Sequence, residues 1–201
     1  MTTAATILLA AGVMSVSGAP PAVAQHGTLQ VCLRNDVHVA DDTLEEARRV
    51  VSDMYSQVGL TLMWCADDCT ITIALRPRAS DDTARRAKDA MGYTPGGGEE
   101  RGRLAFVLVN RVNKIADGYS TARSIVLGAA IAHELGHLLI SKQHTKTGII
   151  KSYLNQSDFR KVGRGELSLI GSNRSSKSSR AGRRPGSIGA GAPARAICRT
   201  R

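Results

Sequence analysis

The sequence predicts one α+β domain, and three observations carry that reading. Short apolar runs of strand character fill the first part of the folded portion. One amphipathic helical stretch interrupts them. A second stretch with helical spacing is apolar nearly all round, yet it holds a cluster of polar residues. A small mixed sheet, a helix backing it and a second helix carrying the polar site make a three-layer arrangement. Apolar periodicity runs from about Thr28 to Ile170, and 201 residues suit one such domain with tails.

Each element follows from its local pattern. Leu29-Gln30-Val31-Cys32-Leu33 reads as the first strand, with Val37 and Val39 continuing it loosely. Asp41, Asp42 and Thr43 offer a helix start, and Leu44, Ala47, Val50, Val51, Met54 and Val58 follow at helical spacing. Gly59 stands where a C-terminal cap belongs. Leu60 to Trp64 is a second strand, and Thr70 to Leu75 a third with Thr/Ile alternation. Arg78 to Arg103 is polar, lacks a sustained period and contains Pro95-Gly96-Gly97-Gly98, so it reads as a long loop beside a cleft. Leu104 to Val109 is a continuous apolar run and gives a fourth strand. Ser120 or Thr121 then caps a helix running to about Ile140. A short helix from about Gln156, capped by Ser157 or Asp158, closes the domain.

The two ends differ from this middle. Residues 1–24 carry an apolar run from Thr6 to Val16, then Gly18-Ala19-Pro20-Pro21 and a small-x-small site ending at Ala24. They read as a signal peptide, which predicts export to the periplasm, the envelope or the medium. An uncleaved anchor is the alternative, and no Lys or Arg precedes Arg34. At the other end, residues 171–201 hold eight basic residues and no acid, which leaves only +2 of the net +10 for the rest. This stretch reads as a solvated, disordered basic tail able to touch anionic surfaces weakly. No specific nucleic-acid partner is expected of the folded portion. Of the four cysteines, Cys65 and Cys69 can close a small disulfide loop in an oxidising compartment, with Cys32 competing. C-x-x-x-C is not a common zinc spacing, so a structural role is expected.

The second helix contains Ala132-His133-Glu134-Leu135-Gly136-His137-Leu138-Leu139, a copy of H-E-x-x-H. Residues four apart share one helix face, so His133 and His137 can hold one tetrahedral ion at Zn–N distances of about 2.0–2.1 Å. Glu134 is rotated by about 100° and is left free to act as a base. Zinc brings water to a pKa near 7, and a carboxylate can then take its proton. The surrounding residues from Ile125 to Ile140 are nearly all apolar, and two histidines with a glutamate buried there need a partner. One zinc ion per chain meets that need. A catalytic zinc site takes a third protein ligand. His144 is the nearest candidate, after the break at Ser141-Lys142-Gln143; Asp158, Glu166 and the more distant His38 are its rivals.

This segment, with His144 and then Gly148-Ile149-Ile150, resembles the metzincin clan of zinc peptidases. More narrowly, it is similar to a group of short exported bacterial metzincin-like proteins with a helix reading A-H-E-x-G-H-L-L and then H-S-x-x-G-I-M. The narrower likeness spans about residues 28–170 and is specific mainly over 128–150. It implies a zincin-like fold, His133, His137 and His144 as ligands, Glu134 as general base, and Ile150 in place of the Met of the turn beneath the metal. Clan spacing would put Gly at position 140 and the third His at 143; here Ile140 stands at the former and His144 comes one residue later. Tyr153 follows the turn, where some relatives keep a transition-state tyrosine.

Three function classes compete. The first is a zinc metallopeptidase acting on a peptide or protein, with strand 104–109 as an edge for an extended substrate. The second is a catalytically silent zinc-stabilised binding or structural domain, whose coordination a fourth protein ligand would close. The third, an intramembrane peptidase, fails for lack of other spans to enclose the site.

Overall fold

In the computed structural model the described residues are 27–80, 90–95, 103–141 and 143–169. The expected signal peptide, the basic tail, Cys198 and much of the expected 78–103 loop lie outside them. The elements are β1 (Gly27–Arg34), α1 (Asp41–Ser56), β2 (Leu60–Cys65), β3 (Ile71–Arg76), β4 (Gly92–Tyr93), β5 (Leu104–Leu108), α2 (Val109–Tyr119), α3 (Arg123–Leu139) and α4 (Gln156–Gly163). Among the described residues they form a mixed five-stranded sheet, ordered β2-β1-β3-β5-β4, with four helices. All neighbours run parallel except β4, which is antiparallel to β5.

Strand register explains a short connection that parallel strands normally forbid. β2 pairs with the first part of β1, Gly27 to Cys32, whereas β3 pairs with its last part, Val31 to Arg34. β3 therefore begins level with the end of β2, and residues 66–70 are enough to cross one face of β1. Cys32 sits under that crossing: its Sγ meets the Ala66 carbonyl at 3.3 Å, and a disulfide joins it to Cys69 with Cα atoms 5.6 Å apart. The expected Cys65–Cys69 pairing gives way to Cys32–Cys69 for this reason. Cys65 instead stands beside Cys32 in the β1–β2 register.

The inward sheet face carries Val31, Ile71, Ile73, Leu75, Ala105 and Val107, all buried. Three of the helices surround α3, since α1, α2 and α4 each pack against it. Gly128 lets α1 and α3 approach closely. A Cβ there would lie 2.9 Å from Val50 Cβ and 3.1 Å from the Ala47 carbonyl oxygen of α1. The buried Tyr55 hydroxyl of α1 donates to the Ala132 carbonyl at 3.1 Å, one residue before His133.

Several expectations are corrected. Strand β1 ends at Arg34, and His38 lies in the following loop with a left-handed φ of 54° rather than in a strand. Val109 does not end a strand; it opens α2, whose Val112 and Ala116 are buried. Ser120 is the left-handed C-cap of α2, so α3 starts from Ala122 with no side-chain cap. The cap of α4 is Asn155, which forms a capping box with Asp158 at the third helical position. Finally, β5 is flanked by β3 on one side and, at Phe106 and Val107, by β4 on the other, so the middle of 104–109 is not a free edge. The sheet ends instead at β4, drawn from the segment expected to be loop.

Candidate metal centre

Helix α3 presents His133 and His137 on one face with their Nε2 atoms 2.9 Å apart. Each ring is held from behind by a backbone carbonyl. Nδ1 of His133 donates to the Ile149 oxygen, and Nδ1 of His137 to the Ser141 oxygen, both at 2.8 Å. Carbonyl oxygens only accept, so both Nδ1 atoms carry a proton, and a ring with no second proton turns a bare Nε2 lone pair forward. Two such lone pairs cannot bond one another. A cation between them could supply what both lack.

His144 completes the group. Its ring centroid lies 5.3 Å from that of His133 and 4.8 Å from that of His137. One ligand nitrogen from each of the three lies within 4.8 Å of the others. Nitrogens sharing a tetrahedral ion with bonds near 2.05 Å stand roughly 3.3 Å apart, so the three histidines suit a single metal ion. Burial pushes the His133 imidazole down to about 4, with the neighbouring His137 and His144 adding to that effect. His144, more exposed, is lowered in the same direction and first by burial. At His133 and His144 burial thus favours the neutral form that binds metal.

A folded strap brings His144 into place. After α3 ends, Ser141 N–H reaches back to the Gly136 carbonyl at 3.1 Å, turning the chain. Thr145 and Lys151 then form an isolated parallel bridge, and Thr145 N–H donates to the Ile150 carbonyl at 3.2 Å. Gly148 takes a φ of 85°, which favours glycine. Ile149 N–H is tied to the Ser168 carbonyl at 3.0 Å. Ile150, fully buried, fills the space over Gly136, where a Cβ would come within 2.7 Å of it. The residue expected in the Met position of the turn therefore packs against the helix between the two histidines.

Glu134 is only 4% exposed and is turned toward β4. Its Oε2 accepts from the Thr94 hydroxyl at 3.2 Å. Gly92 passes so close that a Cβ there would lie 2.7 Å from Glu134 Oε1 and 2.5 Å from the Phe106 oxygen. Burial pushes the Glu134 carboxyl up to about 7, opposed by the Thr94 hydrogen bond.

The rivals for third ligand have other duties. Asp158 pairs with Lys151 and caps α4. Glu166 forms a two-point ion pair with Arg164 at 2.9 Å. His38 is not among the clustered residues. Tyr153 is 65% exposed, and its hydroxyl lies 2.6 Å from that of Tyr119. Sequence reasoning missed Gly92 and Thr94, hidden in a segment whose only strong signal is its glycine run. It also missed the Ile149 and Ser141 carbonyls, which no side-chain pattern announces.

No protein-family model matches the chain, and no curated protein sequence matches it.

Proposed function

We propose that this chain is a zinc-dependent hydrolase of zincin-like fold, and most specifically a peptidase, with Glu134 as general base. The observation that carries the reading is the pair of Nε2 lone pairs at 2.9 Å, each ring locked by a carbonyl on its far nitrogen, with His144 beside them. His133, His137 and His144 would hold the ion. Zinc bound there would supply Lewis acidity toward a carbonyl and lower the pKa of water. Glu134, with a carboxyl pushed up to about 7, is matched to taking and returning a proton near neutrality. Thr94, the residue just after β4, orients that carboxylate. The sheet edge that an extended peptide would use is β4 rather than β5. The Cys32–Cys69 disulfide accords with an exported protein. Among the described residues no helix is long and apolar enough to cross a membrane.

The test is metal content by mass spectrometry on the purified chain, followed by peptide turnover. We expect about one zinc per chain, largely lost in His144→Ala. Glu134→Gln should keep its zinc and lose peptidase activity by about 100-fold or more. Zinc missing from the wild type would remove the reading. Full activity in Glu134→Gln would leave the metal and remove the base.

A further inference from the structure

We propose that the buried Lys151–Asp158 ion pair is a latch that positions His144, and through it sets the affinity of the metal centre. The inference rests on the metal-binding reading above. Asp158 and Glu134 are the two charged residues in the buried core among the described residues. Glu134 belongs to the centre; Asp158 does not. Its Oδ2 accepts from Asn155 N–H at 2.8 Å, which completes the capping box of α4, and the same oxygen meets the Lys151 ammonium. The side chains of Lys151 and Asp158 are 19% and 9% exposed, so the pair is shielded from screening.

Capping alone accounts for the carboxylate but not for the lysine. Lys151 is the last residue of the strap, and it is bridged to Thr145, the residue immediately after His144. Thr145 is drawn closed on the strap by its N–H to the Ile150 carbonyl and by its hydroxyl to the Thr147 carbonyl at 2.7 Å. The other supports fall elsewhere: Ser168 and His133 hold Ile149, and Gly136 seats Ile150. The Lys151 anchor acts on the arm that ends in His144. His133 and His137 are displayed by α3, and the Ile149 carbonyl that locks His133 has ties of its own, to Ser168 and through Ile150 to Gly136. The latch is therefore a positioning device for the one ligand that a helix does not hold.

The experiment measures zinc affinity of the full chain by competition with a chromogenic chelator, with Co2+ absorption as a report on coordination. Lys151→Met and Asp158→Asn are compared in the wild type and in His144→Ala. Outer partners of metal ligands typically contribute 10- to 100-fold, so each substitution should weaken zinc binding by about tenfold. Each should also change the Co2+ spectrum. Lys151→Arg, which keeps the charge, should recover most of the loss. In the His144→Ala background, Lys151→Met should change affinity by less than about twofold. An unchanged affinity in the single variants, or an equal loss in both backgrounds, overturns the latch. A wild type that binds no zinc removes the metal reading and the latch together, whereas a zinc-binding wild type with indifferent variants removes the latch alone. Should charge removal unfold the chain, Asp158→Glu, which shifts the carboxylate by one methylene, carries the same comparison.

Discussion

Burial pushes the pKa of Glu134 and that of the histidine before it in opposite directions. The Glu134 carboxyl rises from its ordinary 4.5 to about 7, while the His133 imidazole falls from 6.5 to about 4. In metal-free protein the raised carboxyl costs stability as pH climbs through the window from 4.5 to about 7, because the unfolded chain gives up that proton first. The lowered imidazole costs stability as pH falls from 6.5 toward 4, because the unfolded chain takes up a proton that the folded one refuses. Between 4.5 and 6.5 the two slopes oppose one another. Glu134→Gln removes the first and leaves the second. The stability advantage of that variant over wild type should therefore grow by about 1.4 kcal/mol per pH unit across 4.5 to 7, then level off. Urea unfolding of chelator-treated protein at several pH values reads this directly. A constant difference across the window would mean that the Glu134 carboxyl is not raised in the folded chain.

At the level of elements, the α1–α3 crossing decides where the histidines sit. A Cβ at Gly128 meets Val50 and the Ala47 backbone, and a backbone oxygen cannot swing away as a side-chain tip can. Gly128→Ala should lower stability by about 1–3 kcal/mol by overpacking, even though alanine favours a helix by about 1 kcal/mol. Thermal or urea unfolding checks it, and a neutral result would mean that the helices can part. Tyr55→Phe, which deletes the hydroxyl bonded to the Ala132 carbonyl, should cost about 1 kcal/mol in the same assay. Both large helices were legible in the sequence. Their apolar residues recur at helical spacing over several turns, and for α3 the apolar face closes right round. Helix α2 was not, because Val109 directly continues the apolar run of β5 and no polar break marks the change of period. Strand β4 has two residues, too few for any periodicity, and is fixed by its pairing with β5. The three histidines could be named from spacing and chain order. The carbonyls that lock them could not, since every residue has one and only the fold decides which is near.

For the whole molecule, the sheet is assembled around a first strand that ends up inside it. The link from β2 to β3 crosses β1 and is tied to it by Cys32–Cys69, a bond spanning 37 residues of chain. Cys32→Ala with Cys69→Ala should lower stability by about 2–4 kcal/mol through the freed unfolded chain. Denaturant unfolding at fixed zinc concentration measures it. On the proposed metal reading, zinc stoichiometry should stay at one, because none of the residues that hold the histidines belongs to that link. Loss of zinc in the double variant would show that the crossing supports the centre.

The Tyr55 bond to the Ala132 carbonyl joins residues 77 positions apart, and it lies one step from the first histidine. The stretch from 123 to 151 contains all three histidines, their carbonyl partners and the strap, so it has the look of a transplantable cassette. It is not one. The helix that displays the pair has hardly a face of its own to show to water, and α1, α2 and α4 must be present to cover it. Grafted onto another scaffold or excised as a peptide, the same residues would keep their spelling and lose their arrangement.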